Sequence, residues 1–242
     1  MILVVISYPG HYHITQLAIK QAIKNMGGIT AVHIVWDDAN IPAPHDYIPF
    51  SSIVQIPPYI KGWYRQQIVK LNLHKVFPNK ELVVMDGDVI FHTIKHPKAY
   101  FYAPLLGPEI KSYSKAKEVL GIDQYDFLAC GFMYVESKWL ELIHKTNPNI
   151  NQIYQNIAMS NWNIDGRWPL SEWEVIHDFV TDVLKIKIAT KPFEYEMLKT
   201  NEFEAKFDNT KDIILDGTDN LSKEFYLKNG IEINENIWNA TY

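Results

Sequence analysis

Cysteine is nearly absent: Cys130 is the only one. A disulfide framework within the chain and a cysteine-rich zinc site are both excluded by that count, and a reducing, cytoplasmic setting is the expectation. Long hydrophobic runs are missing too. The apolar stretch Met1 to Ile6 has no basic region ahead of it and meets Pro9-Gly10, far short of the ~20 residues that a membrane span needs. Net charge is only −5. Because nine acids and four bases fall between Asn201 and Tyr242, the rest of the chain is near neutral, which gives no general surface for nucleic acid or anionic membrane. No internal repeat and no low-complexity tract interrupts it.

What is present is a globular composition. The 242 residues, 47% hydrophobic and 21% charged, suffice for one domain with a sizeable core. Ile2 to Ile6 is a β-branched run without alternation, the mark of a strand covered on both faces. Ile14, Leu17, Ala18, Ala22 and Met26 then recur at helical spacing up to Gly27-Gly28, and Ile29 to Trp36 reads as a second strand ending at Asp37-Asp38. Strand, helix, strand predicts an α/β fold. A short strand at Ser52 to Ile56 and a helix from Trp63 to Phe77 are expected next, the helix stopped by Pro78-Asn79. Leu82-Val83-Val84-Met85 predicts a central strand that delivers Asp86 to a carboxyl edge, where open α/β sheets bind ligands. Downstream the pattern predicts a strand over Tyr125 to Val135, a helix capped by Ser137, and another over Asn149 to Met159. A helix starting at Ser171, an alternating strand at Lys185 to Ala189 and a late strand at Ile213 to Leu215 complete the expectation.

Asp86-Gly87-Asp88 places two hard-oxygen ligands one residue apart just after a buried strand. That suits a divalent cation, Mn²⁺ or Mg²⁺, held against a diphosphate whose charge grows as a bond to it breaks. The plain alternative is a polar turn, since Asp and Gly favour turns. On the expected helix, Trp63, Gln67, Lys70 and His74 share one face and Arg65 and Gln66 lie near its N-terminus, a row able to hold phosphate or sugar oxygens or simply to face solvent.

The stretch Gly62 to Leu71, Gly-Trp-Tyr-Arg-Gln-Gln-Ile-Val-Lys-Leu, followed by Val84-Met85-Asp86-Gly87-Asp88, resembles a subgroup of GT-A glycosyltransferases with a Trp-x-x-Gln-Gln-x-x-Lys-Leu helix ahead of the DxD strand. Phe127 to Tyr134 resembles a strand of glycogenin-like transferases, with Ala129-Cys130 where that pattern has Asn-Ser, and Ser171-Glu172-Trp173-Glu174 resembles a Ser-Glu-Tyr-Glu element of the first subgroup. The resemblance implies a Rossmann-like mixed sheet flanked by helices, with a nucleotide-binding half over 1–100, an acceptor half over 101–200 and an extension over 201–242. It implies transfer from a nucleoside diphosphate sugar, UDP-sugar favoured, to a hydroxyl acceptor on a glycan or small molecule, with DNA or protein less favoured. Asp88 would bind the metal, Asp86 the metal or ribose, and Lys70 or Arg65 the diphosphate. Ser7 and Tyr8 would lie by the nucleoside, and Gln66, Gln67 and Gly131 would also contact the donor.

Ser171 and Glu174 have capping-box spacing, which leaves Glu172 available as a base for the acceptor hydroxyl or as a favourable helix-start charge. Asp165, flanked by Trp162 and Trp168, is a second catalytic candidate, and His177 a candidate third metal ligand or a structural histidine. Two other readings stay open: a catalytically silent nucleotide- or glycan-binding module, and a phosphatase. Strand-Asp-x-Asp-Val resembles the first motif of haloacid-dehalogenase-type phosphatases, with Asp216-Gly217-Thr218-Asp219 as a loose match to their later acidic motif.

Overall fold

The computed structural model describes residues 1–60, 62–98, 101–104, 131–159, 171–193, 195–207, 212–215 and 221–241. Its strands are β1 (Ile2–Ser7), β2 (Ala31–Trp36), β3 (Ile48–Pro49), β4 (Glu81–Asp86), β5 (Val89–Ile90), β6 (Phe101–Pro104), β7 (Phe132–Glu136), β8 (Thr190–Phe193), β9 (Tyr195–Leu198) and β10 (Asp212–Leu215). Five of them form a mixed sheet in the order β3-β2-β1-β4-β7, parallel except for β7. The order β5-β10-β9 makes a smaller sheet, and β6 pairs with β8.

The unalternating apolar runs of β1 and β4 are explained by cover on both faces. Leu3 and Val5 of β1, with Val83 and Met85 of β4, pack with Ile14, Leu17 and Ala18 of helix α1 (Tyr12–Asn25). Val4, Ile6, Leu82 and Val84 face the other way, against Ile68, Val69 and Leu71 of α2 (Gly62–Leu71) and the helices Ser137–Thr146 and Ile150–Met159. This is an α/β fold, Rossmann-like in arrangement. The chain steps from β1 outward through β2 to β3 and then returns to place β4 on the other side of β1, so a crevice opens at the carboxyl edge between β1 and β4. Among the described residues no helix is long and apolar enough to cross a membrane.

Several local expectations are corrected. Residues 52–56 form no strand: the Ile53 and Val54 N–H groups both bond to the Phe50 carbonyl, and all three side chains turn into the core. Helix α2 ends at Leu71 rather than Phe77, because Asn72 Nδ2 donates to the Ile68 carbonyl at 2.8 Å and competes with the helical ladder. A 3₁₀ turn, Leu73–Lys75, follows. Ser137 is the first helical residue rather than the cap, its hydroxyl donating instead to the Lys80 carbonyl. Lys185 to Ala189 stays irregular; Ile186 and Ile188 rest against the core while Lys185 takes a φ of 56°. The Tyr125 to Val135 strand is described only from Phe132, the residues before Gly131 lying outside the described set. The late strand is present as β10.

At the other end of the sequence, His13 near the start of α1 is buried among Tyr226 and Trp238 and accepts from the Asn234 N–H at 3.1 Å. Burial lowers its pKa to about 4, so the imidazole stays neutral and keeps that lone pair. Asp212 makes a second long-range tie: it is fully buried and accepts from the His92 and Thr93 N–H groups at 2.6 and 2.9 Å and from the Thr93 hydroxyl. Asp212→Ala strands both amides, at roughly 1–3 kcal/mol each. We expect a drop of about 3 kcal/mol in urea unfolding, and a change below ~1 kcal/mol would show that the tie adds little to stability.

Candidate active site

β4 ends at Asp86, whose N–H donates to the Gly131 carbonyl at 2.8 Å. The Gly87-Asp88 turn that follows is wedged against β1 and α1. A Cβ on Gly87 would sit 2.3 Å from Thr15 Oγ1 and 2.9 Å from the Ile6 carbonyl, so only glycine fits there. Thr15 donates to the Gly87 carbonyl at 3.2 Å and shares a 2.8 Å hydrogen bond with Ser7 Oγ. Gly131 has a φ of +75°, and a Cβ there would clash with Val89.

Lys70, only 3% exposed, reaches the acidic turn from α2. Its ammonium lies 2.6 Å from Asp86 Oδ1 and 2.6 Å from Glu172 Oε1, over the indole of Trp173 at 4.3 Å. Burial opposes its charge, but the two carboxylates more than offset this and hold its pKa above the ordinary lysine range. Glu172 is raised, by burial first, with Lys70 working against the rise. Asp88 is pushed up to about 7, by burial first and then by repulsion from Asp86.

Around this centre the flanking elements add further contacts. Arg65 pairs with Asp37 at the end of β2, its Nε to the carboxylate and its Nη2 to the Asp37 carbonyl at 3.0 Å. Asp37 still rises to about 6, because burial outweighs Arg65. Tyr8 and His11 share a 2.6 Å hydrogen bond, and His11 Nδ1 stands 3.8 Å from Asp88 Oδ2. Gln67 accepts the Glu172 N–H at 3.2 Å through Oε1, joining α2 to the start of the Glu172–Asp178 helix.

The expected site residues Tyr8, Arg65, Gln66, Gln67, Lys70, Asp86, Asp88, Gly131 and Glu172 line one cleft of about 520 Å³. Ser7 lies behind it, fully buried and bonded to Thr15. His177 is not among the lining residues and pairs with Asp178 at 2.9 Å. His74, in the 3₁₀ turn, leaves the stripe of α2 and packs on His144 instead, with ring centroids 4.9 Å apart. Asp165, and the 216–219 acidic run, lie outside the described residues. Ser171 does cap its helix, but through the Trp173 N–H at 3.3 Å rather than the Glu174 N–H of a capping box.

A family of unknown function, DUF6492, has a model that matches residues 18–130, somewhat under half of the chain. That span takes in Arg65, Gln67, Lys70, Asp86 and Asp88 and stops before Gly131 and Glu172. Among curated proteins none matches. The likeness therefore falls on the half of the cleft built from β4 and α2.

The lining also holds His11, Asp37, Asp38 and Trp173, which were not singled out from the sequence. Asp37-Asp38 had a legible signal, acids at the carboxyl end of a buried strand. His11 had none beyond following the Pro-Gly turn.

Removing the ammonium leaves the buried Glu172 carboxylate without its cation and takes the same partner from the partly exposed Asp86. Lys70→Met should cost about 3–5 kcal/mol at pH 7.5. Lys70 itself stays protonated, folded or unfolded, throughout the neutral and acid range, so its own titration adds no slope. In the variant, burial holds the Glu172 carboxyl above its ordinary range with no Lys70 to oppose it, so Glu172 takes up a proton more readily when folded than when unfolded and the deficit should shrink as pH falls towards 5. Urea midpoints at both pH values test this; a deficit that is constant or grows on acidification contradicts it.

Proposed function

We propose that the chain is a divalent-metal-dependent glycosyltransferase of GT-A type, moving a sugar from a nucleoside diphosphate donor, UDP-sugar favoured, to a hydroxyl acceptor. The observation that carries this is the Asp86-Gly87-Asp88 turn at the carboxyl end of a central strand, inside a cleft and in contact with a buried lysine. The mixed sheet and the position of the crevice support the same reading.

A cation fits the donor set. Asp86 and Asp88 stand on either side of Gly87 and both line the cleft; burial first and then repulsion from Asp86 push Asp88 up to about 7, and Mn²⁺ or Mg²⁺ held by the pair would offset both. Among the described residues no three His, Cys, Asp or Glu side chains gather as a metal group, so Asp86 and Asp88 would hold the ion, with diphosphate oxygens and water completing its shell. Bound there, the ion would neutralise charge on the departing diphosphate. Lys70 brings a second, permanent positive charge to the same place. Arg65, fixed by Asp37, and Tyr8 border the end of the cleft formed by β1 and β2, where the nucleoside would lie. Glu172, tied to Lys70, is assigned to holding that ammonium rather than to accepting the acceptor's proton. The sole cysteine keeps a cytoplasmic setting as part of the proposal.

A phosphatase with Asp86 as nucleophile is less favoured, because such enzymes usually carry the motif on the first strand of the core, whereas here it ends β4. Thermal shift with UDP, GDP and their sugars, with and without Mn²⁺, tests the assignment. A ligand at about 100 times its Kd adds about 2.7 kcal/mol to stability. We expect a rise of several degrees only when nucleotide and Mn²⁺ are present together, and its loss in Asp88→Ala. Unchanged metal-dependent binding in that variant refutes the assignment. Release of phosphate from p-nitrophenyl phosphate, abolished by Asp86→Asn, would establish the phosphatase instead.

A further inference from the structure

Gln67 is 1% exposed and lines the cleft, yet its two amide atoms differ in what they do. Oε1 is engaged by the Glu172 N–H. Nε2 is buried and has no hydrogen-bond partner among the described residues. A buried donor left without an acceptor is costly, and folded proteins tolerate one chiefly where a ligand or water completes it. The Oε1 contact fixes the plane of the amide, so Nε2 is a preset donor rather than a swinging one.

Its position along the cleft says which part of a ligand it meets. Arg65 and Asp37 mark the β2 end, and Asp86 with Lys70 marks the middle, at the end of β4. In the sheet order β2-β1-β4-β7, β4 lies on the far side of β1 from β2. Gln67 is joined to Glu172, which pairs with Lys70, and lines the cleft together with Ser171 and Trp173, whereas Arg65 is held by Asp37 at the end of β2. A donor molecule with its nucleoside by β2 and its diphosphate at Asp86 and Asp88 would bring the transferred group to this end.

We propose that Gln67 determines sugar specificity, its Nε2 donating to one hydroxyl oxygen of the transferred sugar. The inference rests on the glycosyltransferase reading above and adds the group that reads the sugar. A site built to hydrogen-bond a hydroxyl rejects the analogue that lacks it far more strongly than an apolar pocket rejects a change of size.

The test uses the full chain with Mn²⁺ and isothermal titration of UDP, UDP-glucose, UDP-galactose and UDP-N-acetylglucosamine. In Gln67→Met, UDP affinity should stay within about threefold of the parent. Affinity for the preferred sugar nucleotide should fall roughly ten- to hundred-fold, the range expected when one buried hydrogen bond is lost. Equal losses for UDP and the sugar nucleotide would move Gln67 to the diphosphate or to a purely structural role and overturn the proposal, as would no loss at all. Because Gln67→Met also removes the acceptor of the Glu172 N–H, a series of monodeoxy donors on the unaltered protein gives an independent reading. One position, and one only, should cost about tenfold or more, and that cost should vanish in Gln67→Met. A flat deoxy series overturns the proposal without any variant. If the unaltered protein binds neither UDP nor its sugars with Mn²⁺, the glycosyltransferase reading itself falls; if it binds them and Gln67→Met does not discriminate, only the role of Gln67 falls.

Discussion

A single buried ammonium joins the two halves of the cleft. Lys70 comes from α2, Asp86 from the end of β4 and Glu172 from the start of a helix, 102 residues beyond Lys70. Desolvating a lysine is expensive, and the cost is met only because two carboxylates close on it from different elements. The indole of Trp173 covers it on a further side. An ion triad of this kind demands that all three elements be in place together, so the geometry of the acidic turn and the docking of the Glu172–Asp178 helix are settled by one contact set.

The parts of the fold legible in the sequence were those where a single physical signal dominated. Ile2 to Ile6 and Leu82 to Met85 are buried on both faces, and uninterrupted apolar β-branched runs announce that. Elements failed to match where a local hydrogen bond overrode the pattern. The apolar residues at 53 and 54 looked like a strand but are bent into the core by turn bonds to Phe50. Asn72 ended α2 by bonding back to Ile68, an event that periodicity cannot register.

The site was legible in its residues but not in their pairings. Spacing put Gln67 and Lys70 on one face of a helix, and they share the cleft with Asp86. The same spacing included His74, which the early end of α2 carries away to His144. That Lys70 would lie between Asp86 and Glu172 depends on contacts between elements far apart in sequence, and no local pattern encodes it. Arg65, expected beside a ligand, lines the cleft and is paired with Asp37, a partner that spacing does not reveal. Ser171 kept its cap but chose the nearer amide.

The packing of Gly87 against Thr15 and the Ile6 carbonyl carries a consequence for adaptability. With no space for even a methyl group, and with its carbonyl pinned from α1, the acidic turn is an anvil: it has little give, and whatever binds must conform to it. Tolerance for differently shaped substrates therefore has to come from the opposite wall, where side chains rather than backbone form the surface. Evolution could re-tool that wall by swapping residues of α2 and of the segment around Ser171 while the floor of the cleft at Gly87 stayed the same.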